Sequence, residues 1–228
     1  MPRLALAPLS LCLVFAGAAS AAAATSRPVV VELFTSEGCS SCPPAEAYLN
    51  ALAQRPDVLP LAFHVTYWDR LGWKDHYSLE AATARQARYG ARFGDGSYTP
   101  EMVVNGKKHL VGSRRDEGDT AIAAEAGTPS VAVEVGRSGN ALTIQIGSGQ
   151  GSGHVLLVGY DPEHRTAIGR GENTGRTVTE SNVVRSVRTI AEWHGASLAI
   201  AESEPSGERP AVLLEAQDGR ILGAARLP

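Results

Sequence analysis

Cys39 and Cys42 stand two residues apart in Cys39-Ser-Ser-Cys42-Pro-Pro44. That spacing suits two chemistries, reversible thiol–disulfide exchange and soft-metal binding by paired thiolates. A bridge across so short a loop restrains the unfolded chain very little, so stability alone is a poor reason for the pair. The remaining cysteine, Cys12, lies in the apolar stretch from Leu4 to Ala18, after Arg3 and before Ala22-Ala23-Ala24. This is the pattern of a secretory signal peptide, expected over residues 1–24, and its removal would take Cys12 with it. Export, to the periplasm or the medium, would put Cys39 and Cys42 in an oxidising compartment.

The surrounding elements decide how the pair is presented. Pro28 to Phe34 is a β-branched apolar run and reads as a buried strand. After the cysteines, Ala45, Tyr48, Leu49 and Leu52 recur at helical spacing, and Pro43 and Pro44 fit only a first turn, where backbone N–H groups lack intrahelical partners. Both cysteines therefore belong at a helix N-terminus, where the dipole favours a thiolate. Cys39 is the expected nucleophile, and Cys42, one turn in, the resolving thiol. A second strand is expected from Val58 to Thr66 and a second helix from Ser78 to Phe93, whose Arg85, Arg88 and Arg92 read as a solvated face or, less simply, an acidic-partner site. A hairpin through Asn105-Gly106 follows, then a helix opened by a capping box of Ser113 and Asp116 and closed at Gly127. Glu32, inside the apolar strand, is the candidate general base for Cys42, with Glu37 as a rival acid. Tyr67, Trp68 and Trp73 follow the second strand and form either an apolar collar for a substrate polypeptide or ordinary packing.

Residues 28–127 resemble a thioredoxin fold. The resemblance rests on a strand running into Cys-x-x-Cys at a helix start, Thr99-Pro100 before the third strand, the Asn-Gly hairpin and the closing helix. It implies that Pro100 is cis and faces the cysteines, that the Thr99 backbone meets an extended substrate, and that Glu32 lies near a buried proton-shuttling acid. Gly38 in place of a tryptophan, and Ser40-Ser41 between the cysteines, depart from the common pattern. The whole chain is more narrowly similar to an exported bacterial family catalogued as domain of unknown function 1223. Four segments carry that similarity: Val31 to Pro44, His64 to Asp69, Gly72 to Asp75 and Gly171 to Arg176. The family brings a fold and no settled activity.

From Ser130 the pattern changes to short alternating strands, among them Val131–Val135, Leu142–Ile146, Val155–Val158, Ser197–Ala201, Ala211–Glu215 and Ile221–Leu227. The expected fold class is thus an α/β thioredoxin-like domain over residues 25–128 followed by an all-β, sandwich-like domain over residues 129–228. Gly147 to Gly153 lacks the Gly-Lys-Ser/Thr of a phosphate loop and reads as a plain loop. Gly169 to Arg176, with Arg170, Glu172, Asn173 and Arg176, orders a long loop or reaches the first domain.

With 21 Lys+Arg against 24 Asp+Glu, a formal charge of −3 and no like-charge run, the 228-residue chain carries no nucleic-acid footprint. No cofactor is expected, nor any membrane span once the signal peptide is cleaved. The leading expectation is a thiol–disulfide oxidoreductase acting on protein thiols or disulfides with an unknown redox partner. Two alternatives stand beside it. One is a thiolate metal-binding protein of copper-chaperone type with Cys39, Cys42 and His64 as ligands; the other is a non-catalytic binding scaffold.

Overall fold

The computed structural model describes residues 27–128 and 130–227, so the expected signal peptide lies outside the described residues. The first strand, β1 (Val29–Thr35), is buried along its whole length and leads through a turn into α1 (Pro43–Leu52). β2 (Val58–His64) returns parallel to β1, and a 3₁₀ turn (Thr66–Leu71) joins it to α2 (Glu80–Phe93). The hairpin β3 (Glu101–Val104) and β4 (Lys108–Val111) turns at Asn105 and Gly106, both at positive φ, as the Asn-Gly pair requires. α3 (Arg115–Glu125) follows, but the expected capping box is absent: the helix begins after Arg114 with no side-chain cap.

The second half holds β5 (Val133–Ser138), β6 (Ala141–Ile146), β7 (Gly153–Ala167), β8 (Thr177–Trp193), β9 (Leu198–Ser203), β10 (Arg209–Ala216) and β11 (Ile221–Arg226). One mixed sheet of eight strands runs β11-β10-β7-β8-β2-β1-β3-β4, and β5, β6 and β9 form a second sheet of three. The expected fold class, an α/β thioredoxin-like domain followed by an all-β sandwich, is overturned by this topology. The fold is mostly β, with three α-helices among the described residues, and its large sheet takes strands from both halves of the chain.

The join lies between β2 and β8, which pair in parallel at Ala62 and Val183. Pro60 has no N–H, and its carbonyl faces β8, where Asn182 Nδ2 donates to it at 2.8 Å. An open inner edge of β2 would leave buried backbone groups unpaired, so the second half completes what the first leaves unfinished. The sheet also curls, because Ile221 N donates to Asn105 O at 3.0 Å and Arg226 Nη1 to Val58 O at 3.1 Å.

Strand alternation assigns the two faces. Val29, Val31 and Leu33 pack with Ala45, Tyr48, Leu49 and Leu52 of α1 and Ile122 of α3. On the other face Val30 and Phe34 join Leu59, Leu61 and Phe63 with Ala82 and Tyr89 of α2, and this core continues into Val158, Val184 and Leu213 of the second half. The small sheet covers Val155, Leu157, Val212 and Leu214 with Leu142, Ile144 and Ile146.

Candidate functional site

Beyond Thr35 the chain leaves the sheet in a turn in which Cys39 N donates to Ser36 O at 3.0 Å. Cys39 and Cys42 are joined by a disulfide with Cα atoms 5.4 Å apart, and Cys42 is the residue preceding the first turn of α1. Neither cysteine has exposed surface, whereas Ser40 and Ser41 between them are exposed. Thr99 Oγ1 donates to Cys39 Sγ at 3.3 Å and in turn accepts from Trp68 Nε1 at 2.8 Å. The Thr99–Pro100 bond is cis. Pro100 is buried near the start of α1, since a Cβ built on Gly112 would stand 3.0 Å from Ala45 Cβ and 3.4 Å from Pro100 Cβ. Cys39, Cys42, Thr99, Pro100 and Trp68 thus come together at one end of β1 and β3.

Trp73 is held one step away, its Nε1 donating to Glu37 Oε2 at 2.6 Å. Glu32 is not among the groups around the disulfide. It faces α2, on the side of the sheet away from α1, where Arg85 Nε and Nη2 donate to it at 2.5 and 3.1 Å and Tyr89 Oη at 2.6 Å. Arg85 is accordingly buried, not solvated as its helix position suggested, and its Nη1 stands 2.5 Å from Glu215 Oε2 of β10.

A second buried polar cluster lies under the disulfide turn. His64, the last residue of β2 and the cross-strand neighbour of Thr35, places Nδ1 2.8 Å from Asp75 Oδ2 and Nε2 3.4 Å from Glu180 Oε1. Asp75 Oδ2 also accepts from Glu37 N at 2.8 Å, and Glu46 Oε1 accepts from Thr35 Oγ1 at 2.8 Å. Glu46 sits four residues after Cys42, on the same side of α1. Burial raises its pKa to about 7, the Thr35 hydrogen bond and His64 only partly opposing this. Glu180 is raised by burial to about 8. For His64 burial works against the charge, but Asp75 and Glu180 outweigh it and lift the pKa to about 10. Both ring nitrogens of His64 are therefore turned to carboxylates. Among the described residues no group of three or more His, Cys, Asp or Glu side chains is arranged to hold a metal ion.

The loop between β7 and β8 closes over the site from the other half of the chain. Asn173 Nδ2 donates to Glu37 O and to Cys39 O, both at 2.9 Å, and Glu172 Oε2 accepts from Ser40 N at 3.3 Å. Of its polar residues, Glu172 and Asn173 make the reach to the first half that the sequence left open. Glu46, Asp75 and Glu180 were not anticipated. The spacing of Glu46 from Cys42 was a usable signal; Glu180 carried none, because only the β2–β8 pairing brings it to His64.

The chain is similar to a crystal structure of a protein from Agrobacterium tumefaciens determined by a structural genomics consortium. The two are 30% identical with a TM-score of 0.79, covering 90% of this chain and 96% of that one. HBP35 of Porphyromonas gingivalis shares the fold at 12% identity and a TM-score of 0.59, covering 89% of this chain and 75% of that chain. No curated protein matches the sequence. Residues 30–214, which contain the disulfide, the carboxylate cluster and the loop pinned to the cysteine turn, match one family throughout, and the chain belongs to that family, described as protein of unknown function (DUF1223).

Proposed function

We propose that the protein is a thiol–disulfide oxidoreductase of the bacterial envelope, exchanging with protein thiols or disulfides through Cys39 and Cys42. The observation that carries the reading is the disulfide at the start of α1, with a hydroxyl on Cys39 Sγ and a protonatable carboxyl one turn beyond Cys42. A partner thiolate attacks Cys39 Sγ, forming a mixed disulfide and breaking the Cys39–Cys42 bond. Cys42 leaves as a thiolate, which the Glu46 carboxyl can protonate. The partner's second thiolate then closes the partner's own disulfide and releases Cys39, whose thiolate is favoured by the helix N-terminus. Two electrons pass from the partner dithiol to the pair, and no cofactor is required.

Mixing the oxidised protein with an unfolded dithiol protein and trapping with a maleimide checks the activity. We expect exchange in the wild type. We also expect a trapped mixed disulfide when Cys42→Ser is offered an oxidised partner, and none with Cys39→Ser. Absence of exchange in all three would favour the scaffold reading. The envelope assignment rests on the leader pattern and the oxidised pair. Intact mass of protein secreted by a bacterial host should show a chain starting near Thr25, and a chain that retains Cys12 would defeat the assignment.

A further inference from the structure

Neither cysteine has exposed surface, yet both residues between them do, so the sulfurs lie directly beneath an exposed turn. The strap from Gly169 to Arg176 is pinned to the backbone around Cys39 at three points: Glu37 O, Cys39 O and Ser40 N. It is not a slack loop. Its neck is closed by Ile168 N to Arg176 O and Gly175 N to Ile168 O, both 2.9 Å. Its near side rests on Trp73, against which a Cβ on Gly171 would stand 3.2 Å from Trp73 Cβ. Gly171 is at φ +79, so a glycine is required there on both counts.

Two features make the closed position easy to leave. Asn173 spends both its donated contacts on carbonyls while its own Oδ1 is buried without a partner, so release lets water satisfy an acceptor that closure leaves empty. Glu172 draws on the Ser40 N–H beside Cys39. A negative charge at that point tolerates a neutral disulfide better than a Cys39 thiolate.

We infer that the strap between β7 and β8, through Asn173 and Glu172, gates the Cys39–Cys42 disulfide, so that a partner thiolate reaches Cys39 Sγ when the strap releases the turn. Asn173 is then a positioning residue, acting through the Cys39 carbonyl. The gate closes on the disulfide and loosens on the dithiol. This inference rests on the reading of Cys39–Cys42 as an exchanging pair, and it adds to that pair a segment from the far half of the chain.

The test uses the full exported chain, oxidised, with dithiothreitol as the attacking dithiol and an unfolded protein dithiol as the second probe. Asn173→Ala is expected to be reduced by dithiothreitol about tenfold faster than wild type, the scale of one or two net hydrogen bonds. Glu172→Gln, with the charge removed and the shape kept, is expected to be about two- to threefold faster with an unchanged melting curve. A merely structural role would move the melting curve and the reduction rate together, and would leave Glu172→Gln at the wild-type rate. Wild-type rates in both variants, or acceleration confined to an unfolding-prone Asn173→Ala, would overturn the gate. A protein that yields to dithiothreitol with the expected variant pattern but never exchanges with the protein dithiol would sink the oxidoreductase reading and leave the gate standing.

Discussion

Among the described residues, the buried charged clusters around Arg85 and His64 are built differently. Around Arg85, the carboxylates of Glu32 and Glu215 and the hydroxyl of Tyr89 converge on one guanidinium that stays ionised at any ordinary pH. Around His64, the carboxyl groups of Glu46, Asp75 and Glu180 share a single imidazolium. The first is tied together by strong charged hydrogen bonds that raise the pKa of Arg85 further. In the second, burial outweighs what one imidazolium can offset, so Glu46 and Glu180 keep protons at pH values where an exposed carboxyl has lost them. Both clusters span the two halves of the chain. The one beneath the disulfide carries carboxyls that hold protons near neutral pH, and that difference sets it apart from the clamp around Arg85.

The sharpest way to break the comparison is Arg85→Met. Removing the guanidinium strands Glu32 and Glu215 in the interior, and we expect a loss of about 3–5 kcal/mol in urea unfolding, with exchange at Cys39 intact in whatever protein remains folded. A loss below about 1 kcal/mol would mean that the clamp is not holding α2 to β1 and β10.

A smaller and opposite effect is expected from Glu46→Gln. Because the folded-state pKa of Glu46 is raised from 4.5 to about 7, the folded protein holds a proton the unfolded chain has released, and stability falls as pH climbs across that window. Glu180 extends the fall to about 8. His64, raised from 6.5 to about 10, contributes stability that is complete below 6.5 and lost as pH rises through 10. Glu46→Gln should match wild type near pH 4.5 and exceed it above pH 7, by about 1–3 kcal/mol, while slowing protonation of the departing Cys42. Equal stability at pH 8 would show the second cluster to be as fixed as the first.

Much of the first half could be read from pattern. The apolar run of β1, the helical spacing of Tyr48, Leu49 and Leu52, and Asn105-Gly106 each announce a local element, and each element formed. The second half was less legible for a physical reason. After Val158 the sequence runs Gly-Tyr-Asp-Pro-Glu-His, which reads as a turn, yet β7 continues to Ala167. Its register continues from Asp161 opposite Val183 to Glu163 opposite Ser181, with Pro162, which has no N–H to donate, unpaired between them. The outer part of β8, Thr177 to Asn182, carries one apolar residue and no strand signature, although it delivers Glu180 to His64. Glu32 drew notice for being an acid in an apolar strand. Alternation alone could not say which face it served until α1 and α2 were placed on opposite sides.

The parallel pairing of β2 with β8 also sets an order of assembly. While the chain is being synthesised, residues 27–128 emerge with the inner edge of β2 unpaired and His64 lacking Glu180, and the partner strand arrives only after Thr177. Local helices and the Asn-Gly hairpin can form early, but closing this long-range pair is a slow, high-contact-order step. Until it closes, β2 offers an unpaired edge to any neighbouring strand. A chain stopped near Thr128 would keep both cysteines and still lack the strand that completes the sheet and the strap that is pinned to the backbone around Cys39. The protein is thus a poor candidate for trimming to its cysteine-bearing half, and its maturation is tied to delivery of the whole polypeptide.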